Sequence, residues 1–332
     1  MIDISFLYAE FMGHPLWMWL SFAVIFFGLL AFDLLVANKN EHEISMKESL
    51  IFSSVYISIG LLFGGWIWFE LGESSAMEYW TGFVVEKTLS IDNIFVIAML
   101  FSFFNIPRLY QHRVLFWGIL GAVILRGIMI AAGAALIHSF EWVLHIFAVF
   151  LVFTGIKMLI AKDKPADIAN NPVFKFIQKH LRVTKELHGN KFFIKQLSEK
   201  TGKAVLYATP LFVCLVMIEF ADVLFAVDSV PAIFMLTKDP MIVFTSNIFA
   251  ILGLRSLYFV LAAMIQRFHY LKYALSILLI FIGSKALVVY LLDLEKFPIS
   301  LSLGITFLIL GSGIVFSLLK TRKEANNSAL TK

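Results

Sequence analysis

The sequence predicts an all-α, polytopic membrane protein, and three observations predict it. Sixty per cent of the 332 residues are hydrophobic, 35 of them Phe, and the mean hydropathy is +0.87, well outside the range of soluble domains. Apolar stretches recur that exceed the roughly 18–20 residues needed to cross a hydrocarbon core. Basic residues collect in alternate connections instead of being spread evenly. In lipid each backbone polar group must be paired within its own helix, which excludes open strands from the spans.

Nine stretches read as spanning helices, at about 17–37, 50–71, 79–104, 113–137, 141–161, 205–236, 243–267, 270–292 and 297–319. The first opens on Trp17 and Trp19, which suit an interfacial anchor. No basic segment precedes it, so a retained helix is expected in place of a cleaved signal. Glu70 and Glu73 fall near the outer end of the second and are expected to be solvated. Twenty of the 27 Lys and Arg lie in the connections after the first, third, fifth and seventh stretches and in the C-terminal tail. Only Lys238 and Lys296 lie in connections on the opposite side. By the positive-inside rule the N-terminus is outside and the C-terminus cytoplasmic. The net charge of +4 is therefore topological, and no nucleic-acid partner is expected.

The chain reads as a single membrane domain over 1–332, with two related units at 79–161 and 205–292. The first unit carries Asp92-Asn93, Leu125-Arg126 and Gly155-Ile156-Lys157. The second carries Asp228-Ser229, Leu254-Arg255 and Gly283-Ser284-Lys285, in the same order. Arg to Lys spans 31 residues in one and 30 in the other. Three helices per unit is an odd number, so the two copies insert in opposite senses, an arrangement suited to alternating access at a midplane site. The connection 162–203 carries ten Lys or Arg. Within it, Pro172 to Arg182 has apolar residues at helical spacing, which predicts a short interfacial helix.

Charges inside the spans carry the chemistry. A carboxylate at mid-bilayer costs roughly 3 kcal/mol on insertion scales, so such residues default to function. The acids are Asp33, Glu86, Asp92, Glu219, Asp222 and Asp228; the bases are Lys87, Arg126, Lys157, Arg255 and Lys285. Glu219 and Asp222 are i and i+3 and share a helix face. Glu86 and Asp92 are six apart, as are Asp222 and Asp228, which sets each pair about 120° apart on a helix. One metal could bridge such a pair only across an unwound segment, so a break in the third or sixth helix is expected, with Pro231 as one cause.

Glu86, Asp92, Glu219, Asp222 and Asp228 are the candidate metal ligands, with Asn93 and Ser229 as neutral ones. The five bases are read as charge-compensating. Asp33, late in the first helix, suits either an interfacial position or the site. Ser246 and Asn247 could add neutral oxygens, though capping or packing is the simpler expectation. Oxygen-rich, thiol-poor sites suit hard divalent ions. The eight His are scattered and the single Cys214 permits no intramolecular disulfide. No phosphate-binding loop and no nucleophile–base pair appears, so no enzyme and no permanent cofactor are expected.

The runs from Glu86 to Val96 (EKTLSIDNIFV) and from Glu219 to Phe234 (EFADVLFAVDSVPAIF) resemble the two signature segments of the TerC family. Thr245 to Arg255 (TSNIFAILGLR) adds to the resemblance, which covers about Trp17 to Leu319 and is closest to the branch called Alx. The resemblance implies metal-ion homeostasis, and export of Mn²⁺ in that branch, with its acidic positions on Glu86, Asp92, Glu219, Asp222 and Asp228. It also implies a likeness to LysE-like exporters, which share the inverted three-helix repeat. A redox role has no chemistry here, since one thiol cannot cycle alone to a disulfide. The expectation is Mn²⁺ export from the cytoplasm across the bacterial inner membrane, with protons competing for the same carboxylates. Spacing does not order Mn²⁺ against Mg²⁺, Ca²⁺ or Fe²⁺, and it leaves the oligomeric state and coupling ion open. The alternative is a non-transporting scaffold or assembly factor whose buried ion pairs only dock helices.

Overall fold

The computed structural model describes residues 5–32, 46–140, 142–160, 168–184, 186–197, 204–262, 271–292 and 297–330. Asp33 lies outside the described residues. The helices are α1 (Leu16–Phe32), α2 (Met46–Leu71), α3 (Glu73–Phe103), α4 (Arg108–Ser139), α5 (Val143–Ile160), α6 (Pro172–His180), α7 (Pro210–Phe234), α8 (Pro240–Leu252), α9 (Leu254–Ala262), α10 (Leu271–Leu291) and α11 (Ile299–Leu330). Two small antiparallel hairpins complete it: β1 (Glu10–Phe11) with β2 (His14–Pro15), and β3 (Phe193–Leu197) with β4 (Ala204–Ala208).

Among the described residues six helices are long and apolar enough to cross a membrane: α2, α4, α5, α7, α10 and α11. The bent pair α8–α9 makes seven. Of the nine expected spans, α1 is short at 17 described residues. At 31 residues α3 is long enough, but it carries Glu73, Glu78, Glu86, Lys87 and Asp92. The outer face of the bundle is apolar, with Phe69, Leu62 and Val24 among the most exposed side chains. Apolar side chains turned outward suit lipid as the surrounding solvent.

The centre of the bundle is α3. It packs against α2, α7 and α8, while α4 packs against α7. The turn from α2 into α3 is a single residue, Gly72, whose φ of +88° lies in the region open to glycine. The closest helix pair is α5 with α10. A Cβ on Gly155 would lie 2.7 Å from the Ser276 carbonyl oxygen, and one on Gly283 would lie 2.5 Å from that of Ala148. Only glycine on both sides lets the two backbones meet, the small-residue mode of packing in lipid.

Helix α6 forms where a short helix was expected, with the Asn171 side chain accepting from Val173 N at 2.8 Å and Phe174 N at 3.4 Å. Two expectations are corrected. The sixth span starts at Pro210, because Ala204–Ala208 pairs with Phe193–Leu197 as a strand. Its unbroken apolar run, Ala-Val-Leu-Tyr-Ala, reads as the opening of a helix from sequence alone.

The breaks expected in the third and sixth helices are absent, since α3 and α7 are both continuous. Pro231 lies only three residues before the end of α7, where its missing N–H removes a hydrogen bond from the final turns alone. The break falls in the next span instead, at Gly253, where α8 and α9 meet at 44°.

Candidate cation site

The site is built around Arg126 of α4, 1% exposed and the largest fully buried side chain in the described protein. Its guanidinium faces acceptors from three other helices. It holds Asp222 of α7 with two parallel bonds, Nη2 to Oδ1 at 2.7 Å and Nε to Oδ2 at 3.0 Å. Nη1 donates to Glu86 Oε1 of α3, to Asn247 Oδ1 of α8 at 2.9 Å and to Ser229 Oγ of α7 at 3.3 Å. Asn93 Nδ2 donates to Asp222 Oδ1 at 3.1 Å, and Ser90 Oγ to Glu86 Oε1 at 3.3 Å.

The pairing leaves loose ends. Glu86 Oε2, Asn93 Oδ1 and Asn247 Nδ2 are buried without a hydrogen-bond partner among the described residues, on side chains 0%, 5% and 0% exposed. Unpartnered buried groups are costly and mark places where a ligand or water belongs. Glu86 and Asp222 share this one guanidinium, and the Lys87 side chain lies beside Glu86.

The remaining predicted residues surround this centre. Asp92 and Asp228 line a cavity of about 70 Å³ together with Glu86, Asn93, Arg126, Ser229, Met158 and Phe225. Asp228 accepts a hydrogen bond from Thr154 of α5 and lies beside Lys157. Lys272, at the start of α10, acts electrostatically on Asp92. Glu219 lies against α4 at Gly121, where any Cβ would collide with its carboxylate.

The bases divide by role. Lys87 adjoins Glu86 but turns away to donate to the Ala250 carbonyl at 2.9 Å, an acceptor next to the bend at Gly253. Lys285 donates to Ser302 of α11 at 3.1 Å and lies over the Phe297 ring. Arg255, 4% exposed, lines a second cavity of about 40 Å³ with Asn93, Asp222 and Phe225.

Glu86, Asp92, Glu219, Asp222 and Asp228 were the candidate ligands, with any one metal bridging a six-apart pair only across an unwound segment. Among the described residues no three His, Cys, Asp or Glu side chains converge into a group that could hold a metal ion. Unbroken helices are the reason: α3 keeps Glu86 and Asp92 on different faces, and α7 does the same for Asp222 and Asp228. Glu86 and Asp222 meet through Arg126, while Asp92 and Asp228 stand in the adjoining cavity.

Asn247 is the member of the buried cluster that sequence reasoning underrated. Its neighbours satisfy themselves locally, Thr245 Oγ1 on the Met241 carbonyl at 2.7 Å and Ser246 Oγ on that of Val243 at 3.2 Å. Asn247 makes no such bond on its own helix: its Oδ1 accepts from Arg126, and burying a polar group without a partner is costly.

Residues 71–325 match the model of the integral membrane protein TerC family. The chain belongs to the TerC family. A relative in Rickettsia bellii, named only "Uncharacterized membrane protein", is 48% identical over 293 residues, covering 88% of this chain and 95% of its own. The Salmonella typhi protein named "Putative membrane-bound redox modulator Alx" is 45% identical over 314 residues, 92% of this chain and 94% of its own. Its Escherichia coli namesake is 45% identical over 307 residues, covering 90% of this chain and 92% of its own. No solved structure matches. The family, the homologues and the apolar helices together make this TerC member a multi-pass integral membrane protein.

Proposed function

We propose that this TerC family member exports a divalent metal cation, Mn²⁺, from the cytoplasm across the bacterial inner membrane. The observation that carries the reading is the meeting of Glu86 from α3 and Asp222 from α7 in one buried polar centre, beside a cavity lined by Asp92 and Asp228. Asn93 and Ser229 supply neutral oxygens at the same place. Oxygen donors of this kind suit Mn²⁺, Mg²⁺, Ca²⁺ and Fe²⁺, and the family resemblance singles out Mn²⁺.

The packing pattern supports an inverted repeat of α3–α5 with α7–α10. Exchanging α3 with α7, α4 with α8–α9 and α5 with α10 turns the α3–α8 contact into the α7–α4 contact. The α5–α10 and α3–α7 contacts map onto themselves. In this reading α1 and α3 also cross, which gives nine spans, and alternate loading of basic residues puts the N-terminus outside. Rocking of one repeat against the other exposes the site to each side in turn.

Protons compete with the metal for the same carboxylates, so export is coupled to proton entry. Transport in sealed vesicles should therefore fall when the pH gradient is collapsed at clamped membrane potential; unchanged transport refutes the coupling. The relatives' redox label finds no thiol pair here, because Cys214 is the sole cysteine and is fully buried.

One observation favours a scaffold instead. The two-bond contact of Arg126 with Asp222 is the geometry of a structural ion pair. The readings part on Asp92 and Asp228, which stand outside that contact. Asn at either should abolish transport by folded protein if they serve a cation, and should instead lower the amount of folded protein if they are structural, because each then leaves a basic side chain without its carboxylate.

A further inference from the structure

The two cavities beside the central cluster are separated by its own side chains. Asn93 and Phe225 line both cavities, Asp222 lines only the smaller and Arg126 only the larger. The hydrogen-bonded chain from Asn93 through Asp222 to Arg126 therefore forms part of the wall between them. A cation passing from one cavity to the other must cross this wall, and Arg126 already holds the carboxylate oxygens that would bind it.

We propose that Arg126 is a tethered cation that closes the partition and competes with the transported ion for Glu86 and Asp222. Entry of the metal frees the guanidinium, which swings within the larger cavity toward Asp92. Its return ejects the metal and reseals the wall. The inference rests on the cation-export reading and adds to it a division of labour. Glu86, Asp222 and Asn93 bind the ion, while Asp92 receives the displaced arginine.

Three features favour exchange over a static lock. The groups left unpartnered, Glu86 Oε2 and Asn93 Oδ1, belong to the side chains that Arg126 and Asp222 already hold, so oxygens stay in reserve for an incoming ion. The Arg126 side chain lines a cavity of about 70 Å³, which leaves it space on one side. That cavity also presents a further carboxylate, Asp92, on the same helix as Glu86. A tethered competitor lowers apparent affinity by the fraction of time the site is free, which permits release as well as binding.

The test is Mn²⁺ binding to the purified full-length protein, followed through the electron paramagnetic resonance signal of free Mn²⁺, with uptake measured in vesicles. The proteins are wild type, Arg126→Gln, Arg126→Lys and Asp222→Asn. Removing the competitor should tighten Mn²⁺ binding in Arg126→Gln by about tenfold or more, while uptake falls by a similar factor because the bound ion is no longer ejected. Guanidinium chloride should weaken Mn²⁺ binding to Arg126→Gln competitively. A purely structural arginine gives the reverse, weaker or unchanged binding in folded Arg126→Gln, and that result overturns the proposal. If Arg126→Gln does not fold, Arg126→Lys decides. Its ammonium cannot make the two-bond contact, so it should bind Mn²⁺ more tightly than wild type, and equal or weaker binding refutes the competition. Mn²⁺ binding by wild type that is lost in the folded fraction of Asp222→Asn, isolated by size exclusion, supports the site irrespective of the role of Arg126. No binding by any of the four overturns the cation site, and this proposal with it.

Discussion

Arg126 and Asp222 face each other fork to fork, Nη2 to Oδ1 at 2.7 Å and Nε to Oδ2 at 3.0 Å, and that contact ties α4 to α7. Removing one member of a buried pair strands the other, at about 3–5 kcal/mol. Asp222→Asn should therefore lower the yield of folded protein and its melting temperature. Asp92→Asn, outside the contact, should leave both near wild type. Size-exclusion profiles and thermal melts of the two variants check the contrast.

The α5–α10 contact gives a second prediction. Alanine at Gly155 or Gly283 pushes a methyl into the facing backbone, where no side chain can turn aside. Each variant should be destabilised by about 1–3 kcal/mol, the usual range for overpacking. Alanine at Gly304, with nothing within 4 Å of the added Cβ, should have no such effect. Thermal melts of the three variants in detergent test this.

Lys87 is expected to hold the bend between α8 and α9. Its ammonium donates to the Ala250 carbonyl, so Lys87→Met should cost about 1–3 kcal/mol for the lost partner. Protease cleavage or hydrogen exchange near Gly253 should rise in this variant, and unchanged protection would contradict the role.

Asn247 makes a fourth case. Alanine there takes one acceptor from Arg126 and should reduce Mn²⁺ uptake about tenfold, equivalent to roughly 1.4 kcal/mol, with folded protein retained. Ser246→Ala loses only a bond within its own helix and should transport normally. Vesicle uptake by the two variants at equal abundance is the comparison.

Much of this was legible from the price of charge in lipid. Glu86, Arg126 and Asp222 stood out because each is expensive in an apolar helix, and the structure brings all three together. Which charge meets which was not legible. Spacing along one helix fixes the face a residue occupies, whereas Arg126 reaches α3, α7 and α8 at once through tertiary packing. The break was expected at Pro231, yet a proline so near a helix end disturbs little, and Gly253 took the bend. The β3–β4 hairpin was hidden for a related reason, since five consecutive apolar residues beside a long apolar helix read as more helix. Lys157 was legible as a compensating charge, but its partnership with Asp228 depends on how α5 packs on α7.

The most direct test of the central claim is Mn²⁺ uptake into inside-out vesicles containing the purified protein, beside Asp92→Asn and Asp228→Asn at equal abundance. Inside-out orientation turns export into accumulation. The account predicts uptake by wild type that each substitution abolishes. Absence of uptake by folded wild type, or equal uptake by all three proteins, would contradict it.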